Sequence, residues 1–354
     1  FAGPRGGRCL ASLCVADAAS LRGRRRRGKL ARKGPKLSWA ISGAEGRAMT
    51  QFTVPSAMTT SGIRARIDPL LHERAEWLFS GRPGTGLARR ILNRLLSYDR
   101  TIAIGDALDP LGPEEVMAEM AELLARDVEV TGLENLPRQG AAMVVANHPT
   151  GIADGIILHH VLAKYRPDAY YFANRDILRV LPQFETMIAP VEWRLEKRSH
   201  ATMRETMAFT RKAVEEGRLG VIFPSGRLAK RRWLRLHERE WMPSAAMISR
   251  KFDLPVIPVN IRARNSWLFY LFDLIHPSLR DITLFHETLN KGRQPFRITM
   301  GQPIAAGSLP TKSEDGIQIL RKATLALGGR YAPEVSLVEL TRRPAWARKL
   351  VSSV

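Results

Sequence analysis

From residue 128 onward the apolar residues fall into two alternating habits, short unbroken runs and stripes recurring every three or four positions. The runs predict strands over 128–131, 141–146, 169–173, 187–191, 219–223, 256–261 and 296–300. The stripes predict helices over 113–126, 153–165, 200–216, 243–252 and 313–327, with Gly217 placed to stop the helix that begins at His200. Alternation of this kind implies an α/β fold with a largely parallel sheet flanked by helices, and such folds place their sites at the carboxyl ends of strands.

Ahead of the strands, residues 86–98 set Leu87, Ala88, Ile91, Leu92, Leu95 and Leu96 at helical spacing with Arg89, Arg90 and Arg94 between them. This predicts a basic amphipathic helix. It either lies in a lipid interface with its cations toward headgroups, or packs on a core with its arginines in water. The chain therefore divides into residues 1–48, an N-terminal helical region over 49–127 that includes this membrane-associating segment, an α/β domain over 128–330 and a tail over 331–354.

Composition refines the picture. With 354 residues, 45% of them hydrophobic and 25% charged, the chain can bury a core, which excludes disorder throughout. The net charge of +21 is unevenly placed: residues 1–48 hold twelve Arg or Lys against Asp17 and Glu45, so they carry +10 of it. That Gly- and Arg-rich stretch has no sustained periodicity and reads as a disordered tail. It is either a basic arm that grips anionic lipid or nucleic acid, or upstream sequence ahead of Met49. Cys9 and Cys14 are the only cysteines, which leaves the rest without a disulfide framework or thiolate metal site and points to a reducing compartment. No segment approaches the roughly 20 apolar residues of a spanning helix, and 10–19 is too short, and interrupted by Asp17, for a signal sequence. Any membrane is met at its surface.

The first strand-to-helix junction reads N-H-P-T-G-I-A-D-G from Asn147 to Gly155. On a continuous helix, residues six apart differ by about 240°, so His148 and Asp154 can meet only across a turn, which Pro149 and Gly151 supply. A histidine held by a carboxylate is suited to taking a proton from an alcohol, because imidazole titrates near neutrality and the carboxylate fixes its tautomer. The alternative is purely structural, with His148 ending a strand and Asp154 capping the next helix.

The N-H block is followed by P-V-E-W-R (190–194), V-I-F-P-S-G-R (221–227) and V-I-P-V (256–259). In order and spacing these four blocks resemble those of the glycerophospholipid acyltransferase superfamily over residues 128–304. Five residues separate His148 from Asp154 where the commoner block has four, and Ser225 stands where Glu is usual. The form N-H-P-x-G-x-x-D-G and the downstream segment 264–280 are similar to a bacterial, hemolysin-like branch. The resemblance implies an acyltransferase domain over 128–330, His148 and Asp154 as catalytic residues, and Asn147, Arg194, Ser225, Gly226 and Arg227 as substrate-binding residues. It also implies acyl-CoA or acyl carrier protein as donor, and lysophosphatidate or a related lysolipid such as lyso-ornithine lipid as acceptor. The expected setting is peripheral, on the anionic cytoplasmic face of the inner membrane, in phospholipid biosynthesis.

Independently, Arg227, Lys230, Arg231, Arg232 and Arg235 follow a strand-end glycine, where cations and free N–H groups can receive an anionic headgroup. Residues 267–272 are apolar with four aromatics, suited equally to a core, an acyl groove or a lipid interface. F-P-S-G-R lacks the first glycine of a serine-hydrolase elbow, so no acyl-enzyme through Ser225 is expected. His159, His160 and His237 show no converging ligand pattern, and neither metal nor cofactor is expected. Two rival functions stand beside the acyltransferase: a non-catalytic basic protein binding anionic membrane or nucleic acid, and a lipid hydrolase with water as acceptor. Nucleic acid is the less favoured partner, because no aromatic and basic stripe lies in the core.

Overall fold

The apolar runs fold as strands β1 (Val128–Thr131), β2 (Ala142–Ala146), β3 (Tyr170–Asn174), β4 (Ile188–Val191) and β5 (Leu219–Ile222). A hairpin of β6 (Lys230–Arg232) and β7 (Arg235–His237) follows, then β8 (Val256–Arg262), β9 (Phe296–Met300) and β10 (Glu334–Ser336). The helices are α1 (Gly62–Arg74), α2 (Thr85–Leu95), α3 (Tyr98–Leu108), α4 (Pro113–Leu124), α5 (Ile152–Ala163), α6 (Asp176–Val180), α7 (His200–Glu215), α8 (Ser244–Lys251), α9 (Trp267–Ile275), α10 (Pro277–Asn290) and α11 (Ser313–Ala326). The computed structural model describes residues 62–192, 199–329 and 334–338, all within the unit Thr50–Val354. Residues 1–48 and Arg194 lie outside the described residues.

Seven strands make one sheet in the order β1-β9-β8-β2-β5-β3-β4, parallel at every pairing except β8 with β9. The largely parallel α/β fold expected from the pattern is therefore present. Successive side chains of a strand point to opposite faces, and β2 shows what this does to an unbroken apolar run. Ala142, Val144 and Ala146 join a core with α4 and α5, including Leu124 and Ile157. Met143 and Val145 join a second core with α8 and α11, including Ala245 and Leu320. A strand covered on both faces has no polar side, so its sequence is continuous rather than alternating. The result is three layers with β8, β2 and β5 side by side at the centre.

Local signals explain several boundaries. α4 opens with Pro113 at its first position, and the Glu115 carboxylate accepts the Gly112 N–H at 3.0 Å. α7 opens on Ser199, whose hydroxyl accepts the Thr202 N–H at 3.2 Å. Gly217, at φ 73°, ends the turn after α7 as expected.

The structure departs from the pattern in four places. The single helix expected over 86–98 stops at Leu95, because Ser97 adopts φ 54°, and α3 begins at Tyr98. The basic stretch after Arg227 is not an open loop but the β6–β7 hairpin, with Arg235 paired to Glu334. β10, inside the expected tail, pairs antiparallel with β7 and completes a three-stranded sheet. Residues 267–272 form α9, which is neither wholly core nor wholly surface: Phe269, Tyr270 and Phe272 are buried while Trp267 is 70% exposed. Among the described residues, no helix is long and apolar enough to cross a membrane.

One buried ion pair ties α10 to the loop ahead of α9. Lys291 Nζ, fully buried, reaches Glu287 Oε2 at 2.9 Å and Asn265 Oδ1 at 2.6 Å. Glu287 also accepts the Ser266 N–H at 2.8 Å and the Ser266 hydroxyl. Burial opposes its charge, but Lys291 and the Ser266 donors outweigh that and hold the carboxyl below its usual range. Removing one partner of such a pair strands the other charge, at a cost of about 3–5 kcal/mol. Lys291→Met is therefore expected to lower the unfolding free energy by about that much. Lys291→Met/Glu287→Gln should recover a large part of it, since neither buried charge is then unpaired. Urea denaturation of both variants checks this, and equal losses would show that packing rather than charge holds the pair.

Candidate active site

Because β8, β2 and β5 run parallel, their carboxyl ends converge, and the residues that follow β2 and β5 meet there. Asn147 extends β2 by one residue. Its side chain continues the ladder, with Oδ1 accepting the Ile261 N–H at 2.7 Å and Nδ2 donating to Ile261 O at 2.9 Å. The Asn147 amide is 3% exposed and spent on β8.

The next residues turn back on themselves. Gly151, at φ 103°, takes a backbone shape that side chains rarely allow, and a Cβ there would lie 3.1 Å from Leu228 Cδ2. The turn brings Asp154, in the first turn of α5, under His148. Asp154 is fully buried. Its Oδ2 accepts the N–H groups of Thr150 at 2.8 Å and Gly151 at 3.0 Å, and its Oδ1 accepts the Thr150 hydroxyl at 2.5 Å. His148 Nδ1 lies 3.0 Å from Oδ2. The ring is turned so that this is a close ion-pair approach rather than an aligned hydrogen bond, and catalytic pairs commonly tighten only around a bound reactant. One carboxylate thus caps the helix and approaches the histidine.

His148 is held on three sides. Its N–H donates to Glu238 Oε2 at 3.2 Å, its carbonyl accepts the Ala229 N–H at 2.9 Å, and its ring lies 4.4 Å from that of Phe223 between centroids. Glu238 is the main residue that the sequence reading missed. It also accepts the Trp241 indole N–H at 2.9 Å. Burial raises its pKa, against the opposing pull of Trp241, His148 and Ser225. The available signal was Ser225 standing where a block glutamate is usual, with an acidic residue three positions before a tryptophan nearby. Asn147, Pro149, Ala229, Glu238, Asn260 and Arg262 border a cleft of about 320 Å³.

The remaining expected residues are sorted by the same loop. Ser225 is 7% exposed, and its hydroxyl donates to Arg227 O at 2.8 Å. Gly226 has its backbone exposed, but its N–H already donates to Phe223 O at 2.9 Å. Arg227 is exposed. Arg239 is the cationic neighbour of both Arg227 and Arg280: burial, then Arg227 and Arg280, lower the Arg239 pKa. Arg239 Nε donates to Leu228 O at 2.8 Å. His159 is buried against the Tyr171 hydroxyl at 3.1 Å and His160 is exposed, and among the described residues no three His, Cys, Asp or Glu converge on a metal position.

A histidine backed by a buried carboxylate where parallel strands end is a site for moving a proton off a hydroxyl. Comparison with known proteins gives the class. Residues 127–262 match the acyltransferase family model. The chain is 27% identical over 224 residues to the lyso-glycine lipid O-acyltransferase of Bacteroides thetaiotaomicron, covering 60% of this chain and 79% of that protein. It is 29% identical over 214 residues to the lyso-glycine lipid O-acyltransferase of Phocaeicola vulgatus, covering 57% and 73%. The crystal structure of the 1-acyl-sn-glycerophosphate acyltransferase of Thermotoga maritima aligns over 69% of this chain and 96% of that one, at a TM-score of 0.41 and 15% identity, too distant to bear on the argument. Residues 127–262 form an acyltransferase domain, which makes the protein an acyltransferase similar to members of the glycerophospholipid acyltransferase superfamily.

The raised pKa of Glu238 has a stability consequence. A folded-state value above the unfolded one means that the group's contribution is full below the unfolded pKa and is lost as pH rises through the folded value. Glu238→Gln removes this dependence. Relative to the parent, the variant should gain stability from about pH 4 to neutrality, read as urea midpoints across that range; two parallel profiles would contradict the assignment.

Proposed function

We propose that this acyltransferase moves a fatty acyl group from acyl-CoA or acyl carrier protein onto the hydroxyl of a lysolipid, with catalysis carried by residues 128–330. The observation that carries the reading is the 3.0 Å approach of His148 Nδ1 to the buried Asp154 carboxylate at the ends of the central strands. His148 takes the acceptor proton on Nε2 while Asp154 supports the imidazolium. The acceptor oxygen attacks the thioester carbonyl and forms the tetrahedral intermediate. Its collapse breaks the C–S bond, and the departing thiolate takes the proton back from His148. Holding both substrates together makes this a direct transfer without an acyl-enzyme.

Two relatives that are lyso-glycine lipid O-acyltransferases favour a lyso amino-acid lipid as acceptor, a class that includes lyso-ornithine lipid, with lysophosphatidate as the other acceptor. Arg227, with Arg239 and Arg280 beside it, supplies the positive charge that an anionic headgroup requires. The same reading has the enzyme work peripherally on the anionic cytoplasmic face of the inner membrane, in phospholipid biosynthesis. The exposed arginines of α2 support it.

The test is thiol release from acyl-CoA and acyl carrier protein with lyso-glycine lipid, lyso-ornithine lipid, lysophosphatidate or no acceptor. Release should depend on acceptor and fall about 10²–10⁴-fold in His148→Ala and Asp154→Asn. Arg239→Gln should raise KM for the anionic acceptor more than it lowers kcat. Equal release without acceptor would make the protein a hydrolase, and no release with any pair would sink the enzymatic role.

A further inference from the structure

Nine of the sixteen exposed large apolar residues among the described residues lie on three elements, α2, α9 and the β6–β7 hairpin, the first and last of which pack against α9. α9 is the centre. Its Phe272 packs with Leu92 and Leu96 of α2 in one cluster, while its Phe269 and Tyr270 pack with Leu236, Val335 and Leu337 of the hairpin sheet in another. At 100° per residue, Trp267, Leu271, Leu274 and Ile275 occupy an arc of about 100° on the opposite side of α9. They are 70%, 40%, 72% and 60% exposed. α2 repeats the arrangement: Leu92 and Leu96 are buried, and Leu87 and Ile91 beside them are 60% and 57% exposed.

The hairpin makes the third part, and its tip is the most unusual. Trp233 and Leu234 form the two-residue turn between β6 and β7, and they are 90% and 64% exposed. Trp233 holds φ 55°, a conformation suited to Gly or Asn and unfavourable for a bulky residue. A tryptophan that is strained and almost free of packing contributes nothing to the fold at that position, so the strain points to a use outside it. The exposed charges on α2 and the hairpin themselves are cationic: Arg90 and Arg94 on α2, Lys230 and Arg232 on the hairpin. Neither α2 nor the segment from Lys230 to His237 contains an acidic residue, and Asp273 on α9 is paired with Arg280.

We infer that α2, the outer side of α9 and the Trp233–Leu234 tip form one docking face for an anionic lipid surface. The apolar side chains enter the interface, with tryptophan at the level where its amphipathic ring is favoured, and the Arg and Lys side chains meet the headgroups. The Ala229 N–H bond to the His148 carbonyl ties the hairpin to the candidate site, so the face borders the place where a lipid acceptor is used. In that respect the inference rests on the proposed lysolipid reaction, and it names the surface through which that reaction meets its substrate.

The test uses the full chain with Cys9→Ser and Cys14→Ser, which removes both native thiols. Single cysteines placed by Leu234→Cys, Leu271→Cys or Ile319→Cys carry an environment-sensitive dye. Ile319, 43% exposed on α11, takes no part in either cluster and is the control. On vesicles of equimolar phosphatidylcholine and phosphatidylglycerol, the dyes at 234 and 271 should shift to the blue and the dye at 319 should not. This local readout does not respond to binding through the basic residues 1–48. Trp233→Gly should raise the melting temperature, because it relieves the turn, and weaken vesicle partition severalfold. No shift at 234 and 271 on bound vesicles would overturn the face. A concentration-dependent dimer lost in Trp233→Gly and Trp267→Ser would overturn it in favour of a second copy. Turnover on monomeric lysolipid in detergent is measured separately, so a failed reaction and a failed docking face give different results.

Discussion

A carboxylate with no exposure to water must find its hydrogen bonds inside the protein, and Asp154 finds them in the five residues between itself and His148. Two backbone N–H groups and the Thr150 hydroxyl hold it, and those donors exist only because the chain reverses at Gly151. The positive end of α5 favours the same charge. One constraint therefore sets the start of the helix, the shape of the loop and the place of the histidine. The Asp154 charge reaches Lys291, just past the end of α10, where it favours the ammonium against the burial that lowers its pKa.

A second buried carboxylate holds the histidine from the other side. Glu238 takes the His148 N–H and the Trp241 indole, and the hairpin clamps the His148 carbonyl through Ala229. His148 is thus positioned through its backbone by the segment after β5 and approached through its ring by the segment after β2. The parallel packing of β2 beside β5 is what lets two segments distant in sequence grip one residue. Ser225, where the resembling family usually carries glutamate, sits against Glu238, so a carboxylate is present at this end of the site although it comes from another position.

The outer elements carry a different balance. α2, α9 and the hairpin each place some of their apolar residues in small satellite cores and leave others in water, a distribution that stability alone does not favour. The cations that would be read as an anion site from spacing alone are divided by the fold: Arg227 stays with Arg239 and Arg280 near the site, while Lys230 and Arg232 move out along the hairpin.

The sequence by itself determined the layered α/β core, because an apolar run covered on both faces and a helical stripe covered on one leave periodicities that survive in one dimension. Every central strand began within a residue of its expected start for that reason. It also determined the pairing of His148 with Asp154, since a six-residue separation closed by Pro149 and Gly151 is a local event. Only the tertiary structure decided the role of Asn147, the arrival of Glu238, Arg239 and Arg280, and the buried Lys291–Glu287 pair. These are contacts between distant segments, and a polar side chain's partner across the fold leaves no periodic trace. The break at Ser97 and the strained tip at Trp233 were equally hidden, because both residues hold backbone conformations that their side chains disfavour and that their surroundings impose.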